Sequence, residues 1–430
     1  MSHRGYACAA VVCALCACAS APAATPDAGR AARSNVQHVI VISQENHSFD
    51  NYFGRYCTAP AGSNPACTDG PACCEAAPAT EPSGASPTAL DDAANAAYDP
   101  NHSANCENDE MNGGRMDRFV TGASCSDPRN WAIAPEPLVA PYHAFAREGA
   151  LADRYFQAES GSTSANDMHF AVARHVFTDN TVAPMAVGAA CNSLSPQMHY
   201  ASQRTVADLV LDAGFTFANY IEGYAEATAA APGCAQARED CPARMDTYPC
   251  TYDSSDIPFQ YYPRFTDNPT YMRDFAQLQR DLDGGSLPHV VFIKSLGYHT
   301  EHPGARTRIS DGVAWVQAVV RAIRASRYGA RSLILLTYDE GGGYYDHVAP
   351  PAASAVDMQP YGVRIPTIAL GPFARRNTVS HVPMEHASIV KFIEWNYTGM
   401  TGQLGARDAT ANNLGSLLDP AATGVAVPER

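Results

Sequence analysis

Lysine is almost absent from this chain of 430 residues, occurring only at Lys294 and Lys391. Lysine and arginine together number 29 against 44 acidic residues, so the formal net charge at pH 7 is −15. Such a surface repels nucleic-acid phosphates and anionic lipids, which argues against a nucleic-acid partner and a polybasic membrane anchor. Beyond the N-terminus no apolar run approaches the ~20 residues of a transmembrane helix, so we expect no integral membrane association. The hydrophobic content of 46% is nevertheless enough for a large buried core.

The N-terminus has charged, apolar and small residues in the order that is typical of a secretory signal. His3 and Arg4 precede an apolar run of Ala, Val, Leu and Cys, and small residues then lead to Ala23. We therefore predict a signal peptide over residues 1–23, a short leader over residues 24–34, and a secreted or periplasmic protein. The alternative is a short buried helix.

Ten cysteines follow the predicted signal, and none lies beyond residue 250. An even number of cysteines in an exported chain predicts disulfide bonds, here up to five, which would fasten the loop-rich first half. Their spacing contains no paired Cys-x-x-Cys motifs, so a structural zinc site is the weaker interpretation. The ten are Cys57, Cys67, Cys73, Cys74, Cys106, Cys125, Cys191, Cys234, Cys241 and Cys250.

Short β-branched and apolar runs alternate with amphipathic segments after residue 35. Continuous runs of this kind are typical of strands buried on both faces, as in a parallel sheet. We predict strands over residues 38–43, 215–220, 289–294, 332–338 and 366–370. Helices are predicted after a Ser310-Asp311 cap and over residues 385–397. The alternation predicts an α/β fold with helices on both faces of a mostly parallel central sheet.

One catalytic domain is expected over residues 35–400. Residues 57–98, rich in Pro, Ala, Ser and Cys, are predicted to form a long loop pinned by disulfides. Residues 190–265 are predicted to be a lid or insertion, and residues 401–430 a poorly structured tail.

Acids, an asparagine and histidines follow the predicted strands, where open α/β sheets bind their ligands. The candidates are Glu45 and Asn46, Glu222, the group His299, Glu301 and His302, and the pair Asp339 and Glu340. Oxygen donors of this kind suit Ca²⁺, Mg²⁺ or Mn²⁺, with Zn²⁺ as a further candidate. Each feature has a local alternative: a turn or helix cap for Glu45-Asn46, a plain strand exit for Asp339-Glu340, and a solvated loop for His299. Their common place at strand ends favours one divalent-metal site.

Three hydroxyl residues, Ser162, Thr163 and Ser164, precede a predicted helix. A hydroxyl becomes a nucleophile only beside a base or a metal, where it could attack phosphorus. The alternative is a Ser/Thr-rich helix cap, which is compatible with the first interpretation because helix N-termini also bind phosphate. Chemistry alone does not choose among the three hydroxyls.

Residues 39–54 resemble the opening motif of the bacterial phosphoesterase family, which contains non-specific phospholipases C and respiratory-burst-inhibiting acid phosphatases. Further similar blocks follow in order at residues 99–102, 112–119, 161–166, 301–303, 337–348, 364–366 and 385–389. The resemblance spans about residues 36–397 and implies a fold like that of alkaline phosphatase, a three-layer α/β/α sandwich. His47 stands where the phospholipases commonly have Arg, Asn51 where they often have His, and Ala165 where Pro is usual.

The resemblance also implies roles for individual residues. One divalent ion would be held by Glu45, Asn46, Thr163, Asp339 and Glu340. Thr163 would be the nucleophile, and His102 or His302 would protonate the leaving oxygen. The candidate substrate contacts are Asn46, His102, Asn166, His299 and His302.

We therefore predict a secreted, metal-assisted hydrolase of phosphoric esters that works through a phospho-threonine intermediate. The acidic charge and the short chain favour soluble phosphomonoesters, as in an acid phosphatase. The alternative is a phospholipase C that acts on phosphatidylcholine-type lipids with transient contact to a lipid surface. Two further hypotheses are a sulfatase, which would need a Cys or Ser in a C/S-x-P-x-R setting that no mature cysteine here has, and a catalytically inactive metal-binding protein.

Overall fold

The apolar run that opens the fold forms a strand in which all seven residues are buried. The computed structural model describes Met1 and residues 31–430, so the predicted signal peptide and most of the leader lie outside the described residues. The strands are β1 (His38–Gln44), β2 (Thr88–Ala89), β3 (Ala132–Ile133), β4 (Ala150–Ala152), β5 (Ala183–Pro184), β6 (Gln197–Met198), β7 (Phe217–Ile221), β8 (Met272–Asp274), β9 (Val290–Lys294), β10 (Ser332–Tyr338), β11 (Ile368–Leu370) and β12 (Thr378–Ser380).

Helices occupy the segments between these strands. They are α1 (Phe49–Phe53), α2 (Asp92–Ala97), α3 (Ala104–Met111), α4 (Glu136–Glu148), α5 (Thr163–Val172), α6 (Ala189–Asn192), α7 (Val206–Asp212), α8 (Tyr224–Ala230), α9 (Ala276–Gly284), α10 (Ile309–Ala325), α11 (His386–Thr398), α12 (Arg407–Thr410) and α13 (Pro420–Thr423). Short 3₁₀ turns add Pro71–Cys73, Asn112–Gly114, Pro128–Asn130, Pro258–Tyr261, Gly297–His299, Gly329–Arg331 and Leu414–Leu417.

Eight strands form the central sheet, in the order β12-β4-β11-β10-β1-β9-β7-β8. β1 pairs in parallel with β10 on one side and β9 on the other, and β7 continues the parallel set between β9 and β8. β11 is antiparallel to both β10 and β4. The prediction of a mostly parallel α/β sheet is therefore confirmed.

The predicted strands correspond to β1, β7, β9, β10 and β11, with ends that differ by at most two residues. The sequence analysis does not identify β4, β8 and β12, each of which has only three residues. A segment this short shows no hydrophobic period that could separate it from a loop.

Helices pack on both faces of the sheet. One group contains α2, α4 and α10, and another contains α5, α7, α11 and α12. The helix predicted over residues 385–397 is confirmed as α11, with Glu385 as its N-cap. The Ser310-Asp311 cap is wrong: α10 begins at Ile309, and the Ser310 hydroxyl donates to Asp92 at 2.6 Å instead of capping the helix.

All ten cysteines after the predicted signal are paired, which confirms the expectation of five disulfides. The bonds are Cys57–Cys74, Cys67–Cys73, Cys106–Cys125, Cys191–Cys234 and Cys241–Cys250. Within the described part of the chain, no helix has both the length and the hydropathy needed to cross a bilayer.

Two segments differ from the sequence-based expectation. Residues 190–265 are not one insertion, because β7 within them is a strand of the central sheet and α7 packs on α11. Residues 401–430 are not a poorly structured tail, because they form α12, a 3₁₀ turn and α13, and bury Arg407 and Leu414. Their apolar residues follow no regular period, so the pattern gives no signal of an ordered segment.

Candidate active site

The loop after β10 lies directly against the loop after β1. Asn46 has a left-handed backbone with φ +64°, which asparagine tolerates better than most residues. Gly342 also has φ +64°, and a Cβ atom there would lie 2.3 Å from the Asn46 carbonyl oxygen. Only glycine fits this approach, which holds the segment after Asp339-Glu340 against Asn46.

The Thr163 hydroxyl lies within this group of side chains. Thr163 is the first residue of α5 and is 4% exposed, and its Oγ1 lies 3.1 Å from Glu340 Oε1 and 3.4 Å from Asn46 Oδ1. The neighbouring Ser162 Oγ is 3.5 Å from Asp179 instead. Of the three candidate hydroxyls, Thr163 is therefore the one that contacts predicted metal ligands.

Side chains behind Thr163 fix its loop. The Asn166 amide donates to Gly161 O at 2.8 Å and accepts from the Glu159 backbone N–H at 3.0 Å. The Gln157 amide donates to Gly161 O at 3.2 Å and accepts from the Gly341 N–H at 2.9 Å. Gln157, which the sequence analysis does not single out, thus links the loop before Thr163 to the segment that follows Asp339 and Glu340. The Asn166 amide is engaged within its own loop.

Asp339 and Glu340 are completely buried. Burial raises the pKa of Asp339 to about 6 although Lys294 opposes the shift. Burial, followed by the charges of Asp339 and Glu107, raises the pKa of Glu340 well above its usual range. One Glu340 oxygen, Oε2, has no hydrogen-bond partner among the described residues. Buried carboxylates with so little compensating positive charge fit a bound cation.

The Asn46 amide adds a second test of that fit. In one orientation Nδ2 donates to both Asp339 oxygens at 3.2 Å, while Oδ1 accepts from His302 Nε2 at 3.0 Å. In the other orientation Oδ1 faces the Asp339 carboxylate, an approach of oxygens that a cation stabilises. Asn46, Thr163, Asp339 and Glu340 therefore supply a set of hard oxygen donors that suits a divalent ion.

Glu45 has partners of its own. Lys294 Nζ lies 2.5 Å from Oε1, and the hydroxyls of Tyr248 and Thr300 donate to Oε2 at 2.9 and 3.0 Å. Burial alone would raise the pKa of Glu45, but Lys294 and His302 outweigh it and lower the value to about 2. The sequence analysis does not identify Lys294 as a site residue. Its signal was available, since one of only two lysines ends a buried strand beside predicted ligands.

The two candidate catalytic histidines point the same ring atom into the site. His302 Nδ1 lies 2.6 Å from Pro303 O, and His102 Nδ1 lies 2.8 Å from Pro100 O. Because a carbonyl only accepts, each Nδ1 carries a proton and leaves Nε2 for the site. His102 Nε2 is 3.8 Å from Glu340 Oε1. Burial lowers the pKa of His102, which disfavours it as a proton donor.

His299 is placed elsewhere. Its Nδ1 lies 2.9 Å from Glu222 Oε2, and its ring stacks on Trp315 with centroids 6.3 Å apart. Glu222 also lies 3.5 Å from Arg238. Two of the sequence candidates, His299 and Glu222, are thus paired with each other, and the His299 ring does not join the group around Thr163.

Two groups of three side chains place ligand atoms within 4.8 Å of one another among the described residues. They are Asp99, His102 and His302, and Asp50, Asp346 and His347. In the second group Arg364 pairs with Asp346 at 2.7 Å and Asp50 at 3.1 Å, so this cluster is an internal ion-pair network. The first group borders the Thr163 site.

A threonine hydroxyl, buried carboxylates, an amide and two histidines thus lie together beyond the ends of β1 and β10. Comparison with known proteins identifies the class of enzyme. The model of the Phosphoesterase family matches residues 36–398, so the chain belongs to that family and is a hydrolase of phosphoric esters. The resemblance found in the sequence is confirmed.

Individual relatives are distant but extensive. Non-specific phospholipase C3 of Arabidopsis thaliana is 25% identical over 449 residues, covering 92% of this chain and 76% of its own. Phospholipase C B of Mycobacterium tuberculosis is 24% identical over 441 residues, covering 90% and 78%. The solved lipoteichoic acid synthase LtaP of Listeria monocytogenes aligns with a TM-score of 0.41 at 10% identity, covering 90% of this chain and 80% of that one.

Proposed function

We propose that this chain is a secreted phosphoric-ester hydrolase that forms a phospho-threonine intermediate at Thr163. The observation that carries the proposal is the contact of the Thr163 hydroxyl with Glu340 at 3.1 Å and Asn46 at 3.4 Å, inside a buried acidic group. Five disulfides support an oxidising compartment, as expected for an exported protein.

One divalent cation, Ca²⁺, Mg²⁺ or Mn²⁺ before Zn²⁺, belongs to this proposal. Asn46, Thr163, Asp339 and Glu340 would hold it, with Glu45 as the fifth predicted ligand. When bound, the ion supplies positive charge that offsets the charge of the phosphoryl oxygens and of the nucleophile.

The protein groups then act in two displacements. In the first, Thr163 Oγ1 forms a bond to phosphorus, its proton leaves along the hydrogen bond to Glu340, and the bond to the alcohol oxygen breaks. His302, as imidazolium, gives its Nε2 proton to the departing oxygen. In the second, water bonds to phosphorus and gives one proton to His302 Nε2, the bond to Thr163 breaks, and the threonine oxygen takes back its proton from Glu340.

The substrate we place first is a phospholipid of the type cleaved by a phospholipase C. The two relatives described above carry that name and each cover at least 90% of this chain. The preference for phosphomonoesters in the sequence analysis rests on the net charge of −15, which does not repel a zwitterionic lipid such as phosphatidylcholine. Phosphomonoesters, which the sequence analysis favours on the basis of the acidic charge, remain the second candidate.

The nucleophile is tested with three matched variants. Thr163→Ala should lower turnover by about 10⁴-fold or more, because no other hydroxyl among the described residues contacts Glu340. Ser162→Ala and Ser164→Ala are the controls and should retain most of the activity. Mass spectrometry of acid-quenched enzyme should show the phosphoryl group on the peptide that contains Thr163. Loss of activity in a serine variant but not in Thr163→Ala would contradict the proposal.

The cation and the substrate are tested on the unmodified protein. EDTA should abolish turnover, and full activity after exhaustive chelation would refute the metal requirement. A panel of phosphatidylcholine, sphingomyelin, glycerol phosphate and p-nitrophenyl phosphate then separates the two substrate classes.

A further inference from the structure

Glu301, next to His302, is completely buried and receives hydrogen bonds from four side chains. Tyr52 and Tyr338 donate to Oε2 at 2.6 and 2.7 Å, and Gln44 donates to Oε1 at 3.1 Å. The Tyr142 hydroxyl also donates to Oε1. These donors come from α1, β10, β1 and α4, so one carboxylate connects four separate elements of the fold.

Helix α10 leaves room for this side chain. A Cβ atom on Gly312 would lie 2.2 Å from Glu301 Cγ and 2.9 Å from Oε1. Any larger residue at position 312 would displace the carboxylate. The side chain therefore lies in a compartment built around it, and its carboxylate is completely buried.

The backbone at Glu301 is constrained as well. Its φ of +73° lies in the left-handed region, which costs a non-glycine residue energy and persists only where the surroundings hold it. His47 Nε2 and Asn95 Nδ2 donate to its carbonyl oxygen at 3.0 and 3.1 Å.

The residues on either side of Glu301 reach the candidate active site. The Thr300 hydroxyl donates to Glu45 at 3.0 Å, and the His302 ring lies 3.0 Å from a terminal atom of the Asn46 amide. An apolar side chain could fill the compartment without the cost of burying a carboxylate. Four directional hydrogen bonds instead fix the position and orientation of residues 300–302.

We propose that Glu301 is a positioning residue, which sets the His302 ring at the departing oxygen without itself touching substrate. This inference rests on the proposed function, in which His302 protonates the leaving alcohol. Displacement of the His302 ring should then lower kcat most for substrates whose leaving group has to be protonated.

Two substrates with the same phosphocholine group test this. Dihexanoylphosphatidylcholine releases an alkoxide that must be protonated, whereas p-nitrophenylphosphorylcholine releases a stable phenolate. In Glu301→Gln, kcat on the first should fall about 100-fold with KM little changed, the loss expected for a small misplacement of a catalytic group. The kcat on the second should change far less. Equal loss on both substrates, or no loss on either, would overturn the inference.

Two further variants make the result decisive. Tyr142→Phe removes one donor from α4 and should give a smaller loss of kcat, again larger on dihexanoylphosphatidylcholine than on p-nitrophenylphosphorylcholine. The test therefore stands even if Glu301→Gln folds poorly. His302→Gln measures the acid itself. If His302→Gln loses more activity on dihexanoylphosphatidylcholine than on p-nitrophenylphosphorylcholine, and neither Glu301→Gln nor Tyr142→Phe does, the positioning role is wrong and the proposed function stands. If His302→Gln also slows both substrates equally, the acid assignment fails, and the inference fails with it.

Discussion

Replacement of Arg407 by Met should destabilise the protein severely, although the residue lies in the last thirty residues of the chain. The guanidinium is completely buried and donates to Asp357 through Nε and NH2, both at 2.8 Å. It also donates to Ala158 O and lies 3.6 Å from Glu385. Arg407 thus joins α12 to the segment that leads into the loop before Thr163.

The expected loss in the free energy of unfolding follows from the burial of the ion pair rather than from its N–O distance. Removal of one partner from a buried ion pair costs about 3–5 kcal/mol, because the other charge is left without compensation. That is a large part of the ~5–15 kcal/mol by which folded proteins are stable. The matched control is Arg118, whose NH1 also lies 2.8 Å from a carboxylate, that of Asp109, but whose pair is 39% and 42% exposed. An exposed pair of this kind is worth about 0–1 kcal/mol.

Urea denaturation of Arg407→Met, Arg118→Met and the parent protein measures both free energies of unfolding. At pH 7 the Arg407 variant should lose several times more stability than the Arg118 variant. Burial would raise the pKa of Asp357, but Arg407 outweighs it and holds the value near 2, below the usual 3.8. A depressed carboxyl pKa stabilises the fold above pH 4 and ceases to do so as the pH falls toward 2. The difference between Arg407→Met and the parent should therefore shrink in acid. Equal losses for the two variants at pH 7 would refute the argument from burial.

Two further predictions concern stability. Burial raises the pKa of Glu110 to about 9 and of Glu107 to about 8, from a usual 4.5, so their contribution is complete below pH 4.5 and lost as the pH rises through 8 and 9. Thermal unfolding in chelator-containing buffer should occur at a lower temperature at pH 9 than at pH 5, and Glu110→Gln should reduce this difference. The same difference in the variant and the parent would contradict the role given to Glu110. Removal of the Cys191–Cys234 bond, which closes 43 residues, should cost about 4 kcal/mol, against about 2 kcal/mol for Cys67–Cys73, which closes six. Paired Cys→Ser variants compared by thermal unfolding would disprove this if the short loop mattered more.

The sequence predicts well those features that are carried by a local pattern. β1 and β10 are strands of seven residues, each built around a continuous apolar run, residues 39–42 and 333–336, and both are found where the pattern places them. The acids and the asparagine that follow these strands come to one edge because parallel neighbours end together. Asn46, Asp339 and Glu340 are thus brought together by a rule that needs only the strand positions.

Partners that come from other elements have no such local signal. Tyr52 and Tyr142 lie on helices, where their spacing marks them as core aromatics, and only the folded chain shows that both donate to Glu301. His47 is recognisable in sequence as a departure from the family pattern, but its hydrogen bond to the Glu301 carbonyl is a tertiary contact. Such contacts depend on the relative placement of helices and strands, which the periodicity of one segment does not specify.

The distribution of charge around Thr163 connects these observations. Lys294 lies 2.5 Å from Glu45 and helps to lower its pKa to about 2, so this carboxylate is already compensated by the protein. The same lysine opposes the upward shift at Asp339 but does not cancel it, and the Asp339 pKa stays near 6. The protein therefore supplies fixed positive charge on the Glu45 side and too little on the side of Asp339 and Glu340. Thr163 contacts Glu340, so the proposed nucleophile lies on the side with the uncompensated acids, where a divalent cation would have the largest electrostatic effect on its hydroxyl.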